Sequence, residues 1–342
     1  MTGRAFGGGP LTPAVSAYIC RLPLTPIAES KFGWWDAQRA AGLIRPYAAC
    51  GCNMPGMRHR SFIIAACLVA LLPTIPAAQQ AGKVLIGYCV GLKGLDTAKV
   101  AGFDYVELGV TEIAALSDAE FEAALERVKQ AGIPTPNANL FLPGSIRLTG
   151  PEATDPEQQM AYVKKAFARL NRLGVKILCF GSGGARRVPE GFPKEEAFKQ
   201  LVDFGKRIAP EARAQGITVV IEPLRRQETN IINTASEGLE LVRAVADPNF
   251  ELLVDFYHLA SEKEDPAIIL TAKDHIRHLH MANPQGRVFP LTWEECDYAP
   301  FFANLRQIGY AGRISVEASS KDIPTEGPQA IALLRRAFIG PQ

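Results

Sequence analysis

Thr218–Asn230 reads TVVIEPLRRQETN, and its first six residues decide the architecture. A short apolar run ends on a carboxylate, Glu222. Pro223 then stops the strand, because proline has no N–H to give to a ladder. Three later stretches repeat this design. Phe250–His258 (FELLVDFYH) delivers Asp255, Ile276–Asn283 (IRHLHMAN) delivers His280, and Arg313–Ser319 (RISVEAS) delivers Glu317. Each follows the last by roughly one strand-plus-helix unit. Parallel barrels carry their reactive groups at the C-terminal ends of the strands, so four such residues in consecutive units predict one shared pocket.

The same alternation extends upstream. Strands are predicted at Lys83–Cys89, Tyr105–Val110, Thr135–Phe141 and Val175–Gly181, then at Thr218–Glu222, Phe250–Asp255, Ile276–His280 and Arg313–Glu317. Between and after them fall helices at Leu95–Ala101, Asp118–Ala131, Pro156–Leu173 and Lys194–Gln215, then at Ala235–Val245, Pro266–Lys273, Trp293–Ile308 and Thr325–Phe338. Ser117 or Asp118 caps the second helix and Gly132 stops it. Pro210 is expected to break the fourth. Eight strands and eight helices over 83–338 match the roughly 250 residues of a (β/α)8 TIM barrel, a single α/β domain. Strands rich in Val, Ile and Leu suit a parallel sheet covered by helices. The alternative, an open doubly wound sheet, lacks its G-x-G-x-x-G turn after the first strand.

Composition agrees with a soluble enzyme: 342 residues, 47% apolar, 21% charged, net charge +2. A balance so near neutral gives no field for nucleic acid. Of seven cysteines, Cys89, Cys179 and Cys296 fall within the barrel, too scattered for a disulfide framework, and they read as small buried hydrophobes.

The first eighty residues have another texture. Residues 1–56 are rich in Gly, Pro and Ala, without a period, and read as a non-native or disordered extension. Cys50 and Cys52 lack the second pair that a zinc site needs. Residues 57–78 have the order of a signal peptide. A basic start (Met57-Arg58-His59-Arg60) leads to an apolar run (Ser61–Leu72) and then to small residues up to Ala78. Twelve apolar residues fall short of the roughly 20 that span a bilayer. The expectation is a start at Met57, cleavage after Ala77 or Ala78, export to the periplasm or medium, and membrane contact only through this segment. A lipobox at Ile64–Cys67 is a rival with too short an apolar stretch before it.

Three carboxylates converging in a low-dielectric pocket repel, and a divalent cation removes the conflict. Glu222, Asp255, His280 and Glu317 supply oxygens and one imidazole, which suit Mn²⁺, Mg²⁺ or Co²⁺, with Zn²⁺ less favoured without thiolates. His278 lies two residues before His280, on the same side of the strand, and is expected behind it or in the core. His275 is placed on the loop before the strand. His258 is expected to reach the pocket from the loop after Asp255.

The segments IEPLRRQETN, VDFYH, HLHMANPQGR and GYAGRISVEAS resemble the xylose isomerase-like superfamily, and within it the sugar epimerases related to D-tagatose and D-psicose 3-epimerase. The resemblance covers about 83–338. It implies that Glu222, Asp255, His280 and Glu317 bind one divalent metal ion and that the two glutamates form the acid–base pair. It implies that Glu228, His258 and Arg287 hold a sugar. Two departures stand out. Ala282-Asn283 replaces the usual Gly-Glu pair, and Arg287 stands one residue late. A metal-dependent lyase or dehydratase acting on keto-sugars or 3-keto-glycosides is an alternative, as is a non-catalytic exported sugar-binding barrel. An endonuclease-like trinuclear zinc centre would need histidines within Tyr105–Phe141, which has none. Arg186, Arg187, Arg225 and Arg226 are the arginines available for a phosphate clamp. Self-association is left open.

Overall fold

The computed structural model describes residues 84–340, so the expected extension, the signal segment and Lys83 lie outside the described residues. Eight strands close into one parallel barrel in sequence order. They are β1 (Leu85–Cys89), β2 (Tyr105–Gly109), β3 (Asn137–Asn139), β4 (Ile177–Phe180), β5 (Thr218–Ile221), β6 (Phe250–Asp255), β7 (Ile276–Met281) and β8 (Arg313–Val316). Pairing of β8 with β1 completes the closure.

The helices wrap the outside. They are α1 (Leu95–Val100), α2 (Val110–Ala115), α3 (Asp118–Ala131), α4 (Pro156–Arg172), α5 (Gly183–Arg186), α6 (Lys194–Ala214), α7 (Ala235–Val245), α8 (Phe256–Ser261), α9 (Ile268–Ala272), α10 (Ala299–Gln307) and α11 (Ile323–Ile339). Local chemistry sets their ends. Ser117 and Glu120 form a reciprocal capping box on α3, and Gly132 ends it in the left-handed conformation. Asp155 caps α4, with Pro156 in its first turn.

Two helices differ from expectation. The α6 helix runs unbroken through Pro210. Lys206 and Pro210 both face solvent, so the carbonyl that loses its partner is left on the wet side. The expected helix Trp293–Ile308 is instead a 3₁₀ turn, Trp293–Glu295, followed by α10. Pro300 in the first turn of α10 suits a helix start, where its missing N–H forfeits no intrahelical bond. The short helices α2, α5 and α8 sit in stretches that read as strand ends or loops. No helix among the described residues is long and apolar enough to cross a membrane.

The main apolar core lies between helices and sheet, while Cys179, Val220 and Leu253 form a separate small cluster. Val220 and Leu253 lie two residues before Glu222 and Asp255, so they share the inward side of their strands with the carboxylates. On β2, β3, β7 and β8 the inward side is polar. Tyr105, Glu107, Asn137, His278 and Ser315 are all buried there. Gly87 makes room for this column, since a Cβ on it would fall 2.2 Å from the Tyr105 ring.

Candidate active site

The four strand-end residues meet as the spacing predicts. Donor atoms of Glu222, Asp255, His280 and Glu317 lie within 4.8 Å of one another. Asp255 and His280 are register partners on β6 and β7, while Glu222 and Glu317 follow directly on β5 and β8. His280 Nδ1 is 2.8 Å from Glu222 Oε1 and 3.4 Å from Glu317 Oε2. Asn139 Nδ2 donates to Glu317 Oε1 at 3.0 Å. Gly181 has no side chain for a steric reason: a Cβ there would fall 2.5 Å from Glu222 Oε2.

Electrostatics set the four groups apart. Burial opposes charge on Glu222, but the His280 imidazole outweighs it and holds the carboxyl down at about 2. Burial pushes Asp255 up to about 6 despite His258, and the neighbouring Glu222 adds to the rise. Burial also opposes protonation of His280, yet Glu107, Glu222 and Glu317 raise it well above its ordinary value. Asp255 Oδ2 and His258 Nε2 are buried without hydrogen-bond partners. They stand 3.5 Å apart, too long for a well-made bond. An orphaned carboxylate oxygen beside two further carboxylates and an imidazole fits a divalent cation.

The remaining expected residues surround this centre. Arg287 Nη2 donates to Glu317 Oε2 at 2.6 Å, and its Nη1 donates to Glu228 Oε1 at 3.3 Å. Arg225 Nε donates to the same Glu228 oxygen at 2.8 Å. Both guanidiniums lie over the Tyr257 ring, at 5.0 Å for Arg225 and 4.8 Å for Arg287. Arg287 adopts a positive φ of 50°, a strained conformation for a side chain-bearing residue. His258 lies in the first turn of α8 and is 2% exposed. Its Nδ1 accepts the Arg225 backbone N–H at 3.2 Å, so Nε2, facing Asp255, carries the proton of the neutral ring. It stands behind Asp255 and does not line the open cavity.

Several groups were not anticipated. Glu107 on β2, wholly buried, lies 2.9 Å from His278 Nε2 and 3.2 Å from His280 Nε2. The available signal was a lone acid in the apolar strand YVELG, a residue costly to bury unpaired. His278 is thus behind His280 as expected, with Nδ1 donating to the Arg313 carbonyl. His275, between α9 and β7, meets Glu251 at 2.9 Å. The cysteines are less inert than their composition suggested. Cys179 Sγ donates to Glu222 Oε2 at 3.1 Å, Cys89 lies beside Glu107 and His280, and both Cys89 and Cys296 are partly exposed. The four arginines do not gather as a phosphate clamp. Arg186 is buried and donates to the Glu222 carbonyl at 2.7 Å, and Arg187 donates to the Glu228 carbonyl at 2.7 Å. Arg225 binds the Glu228 carboxylate, and Arg226 pairs with Glu262.

A cavity of about 660 Å³ opens above the donors, with Glu222, Glu228, Arg287 and Glu317 on one wall and Thr111, Asn139 and Leu140 on the other. This volume is ordinary for a small-molecule site.

Residues 95–337 match the family model of the xylose isomerase-like TIM barrel. The L-ribulose 3-epimerase of Methylomonas sp. (strain DH-1) is 31% identical over 233 residues, covering 68% of this chain and 79% of that protein. The D-psicose 3-epimerase of Agrobacterium fabrum (strain C58) is 27% identical over 236 residues, covering 66% of this chain and 78% of that protein. Among solved structures, a D-psicose 3-epimerase in the presence of D-fructose superposes with a TM-score of 0.67 at 21% identity, covering 75% of this chain and all (100%) of that one. The D-allulose 3-epimerase from Methylomonas sp. in complex with D-allulose gives 0.65 at 25% identity, covering 74% of this chain and 97% of that one. The chain belongs to the xylose isomerase-like TIM-barrel family and is an isomerase similar to the ketose 3-epimerases.

Proposed function

We propose that this protein is a divalent-metal-dependent epimerase of free ketoses, inverting the carbon next to the ketone. The observation that carries this reading is the placement of two glutamates, Glu222 and Glu317, among the same four donors at the floor of one cavity. Glu222, Asp255, His280 and Glu317 would hold the cation, which when bound polarises the ketone oxygen and the neighbouring hydroxyl.

The protein's own groups do the rest. One glutamate takes the proton from the carbon beside the carbonyl, and the C–H electron pair moves into an enediolate. The other carboxyl returns a proton to the opposite face, so the atoms balance and no co-reactant is consumed. Arg287 and Glu228, which line the cavity, are assigned to the sugar hydroxyls, while His258 behind Asp255 is assigned to positioning that carboxylate. Arg287 also meets Glu317, so it can orient that carboxyl relative to the substrate.

The test is turnover in deuterated water with Mn²⁺, Mg²⁺ or Co²⁺, followed by NMR over a panel of ketohexoses, aldoses and 3-keto-glycosides. Deuterium beside the carbonyl with inversion supports the epimerase. Loss of a β-substituent indicates a lyase instead, and binding without exchange indicates a sugar-binding barrel. The export reading of 57–78 is carried as a proposal with its own test. N-terminal sequencing of the native protein should start at Gln79 or one residue before it, and abundant peptides from 1–45 would refute it.

A further inference from the structure

We propose that Glu107 is the positioning residue of the metal centre: it accepts the Nε2–H of His280 and so turns an unprotonated Nδ1 toward the cation. The inference rests on the metal reading above. Of the two ring nitrogens, only Nδ1 faces the other donors, at 2.8 Å from Glu222 and 3.4 Å from Glu317. Nε2 faces Glu107 Oε1 at 3.2 Å. A neutral imidazole carries one proton, and a carboxylate beside Nε2 keeps it there. The outward-facing lone pair is then always at Nδ1, and the ring cannot flip without breaking this bond. A carboxylate behind a ligating histidine also makes the ring a better donor.

The bland alternative is a satisfied core carboxylate with no bearing on the site. The surroundings speak against it. Glu107 is wholly buried inside the barrel, where an ionised acid is strongly disfavoured unless it is paired. On β5 and β6, the positions behind the donors are filled by Val220 and Leu253 instead. Here the chain commits a set of polar groups to Glu107. Ser315 Oγ donates to Oε2 at 2.7 Å and is itself 2.8 Å from the Tyr105 hydroxyl. Asn137 Nδ2 donates to His278 Nε2 at 3.0 Å, which fixes that ring beside the carboxylate. These contacts leave Oε1 directed at His280. Ser315 and His278 precede Glu317 and His280 by two residues, so the same strands that carry metal donors also fix the carboxylate behind them.

Two measurements test this. In ¹⁵N-histidine protein loaded with diamagnetic Mg²⁺, long-range ¹H–¹⁵N spectra should show His280 protonated at Nε2. Second, Mn²⁺ affinity by chelator competition should fall about 10- to 100-fold in Glu107→Gln and less in Glu107→Asp, which keeps the carboxylate. Unfolding of each variant in EDTA separates this from plain loss of stability. A Glu107→Gln protein with the parent's Mn²⁺ affinity, or a His280 protonated at Nδ1 in the loaded parent, overturns the inference while the metal reading stands. A parent chain that binds no divalent cation overturns both. If Glu107→Gln does not fold, the spectrum of the parent decides.

Discussion

Gly181 and Glu222 stand in a relationship that admits no side chain: a Cβ on the glycine would lie 2.5 Å from the carboxylate oxygen Oε2. The glutamate cannot yield freely, because His280 and Cys179 hold its two oxygens. Gly181→Ala should therefore displace the carboxylate, lowering metal affinity and kcat/KM at least tenfold with the far-UV spectrum unchanged. Parent-like values would mean that Glu222 relaxes into the cavity without loss.

Removing the acid–base function is a different experiment from moving it. Glu222→Gln and Glu317→Gln should each lower kcat by about 10²- to 10⁴-fold, the usual worth of a positioned acid or base. Solvent deuterium exchange into the ketose should fall in parallel. Retained exchange in either variant would remove that residue from the proton-transfer step.

Arg287 joins Glu317, Glu228 and the Tyr257 ring through one planar group. Lysine keeps the charge but neither the fork nor the stacking. Arg287→Lys should lower kcat/KM for the ketose at least tenfold. An unaffected kcat/KM would show that a point charge is enough there.

Arg169 offers a test of stability away from the chemistry. It is buried and donates to the carbonyls of Ile113 and Leu116 at 2.8 and 2.7 Å, closing the end of α2, and to Asp118 at 2.8 Å. Arg169→Met leaves those carbonyls without a partner. The expected cost is about 3 kcal/mol, from two or more lost bonds to a charged donor. That corresponds to a Tm lower by about 6–12 °C for a domain of this size. A loss under about 2 °C would mean that water replaces the guanidinium.

Glu251 on β6 gives a pH dependence with a defined sign. Burial raises its pKa although the His275 and Arg277 side chains beside it oppose the rise. A carboxyl raised in the folded state favours folding while protonated. That contribution is lost as pH climbs from the unfolded value of about 4.3 through the folded one. Glu251→Gln, neutral throughout, should therefore gain on the parent as pH rises above about 4. Thermal melts of both proteins at each pH read the difference, and a gap that stays constant or narrows contradicts the sign.

What the chain disclosed in advance follows physical lines. Glu222, Asp255, His280 and Glu317 were legible because each ends an apolar run, and runs of that kind repeat with a period that only a barrel explains. Asp118–Ala131 was legible to the residue because Ser117 and Gly132 carry its caps in their own chemistry. Glu107 was not, since an acid within YVELG reads alike whether it pairs across the barrel or breaks a strand. The short helices α2, α5 and α8 hold too few residues to show a period. Pro210 misled because its cost depends on which side of the helix faces water, and a linear sequence does not display that.

The ring of Tyr257, with two guanidiniums over it that share one Glu228 oxygen, has a mechanical consequence. Arg225 and Glu228 follow β5, Tyr257 follows β6 and Arg287 follows β7, so one small cluster fastens three successive rim loops together. Any opening of the mouth would then fall on the opposite rim, where Gly91, Thr111 and Leu140 line the cavity after β1, β2 and β3.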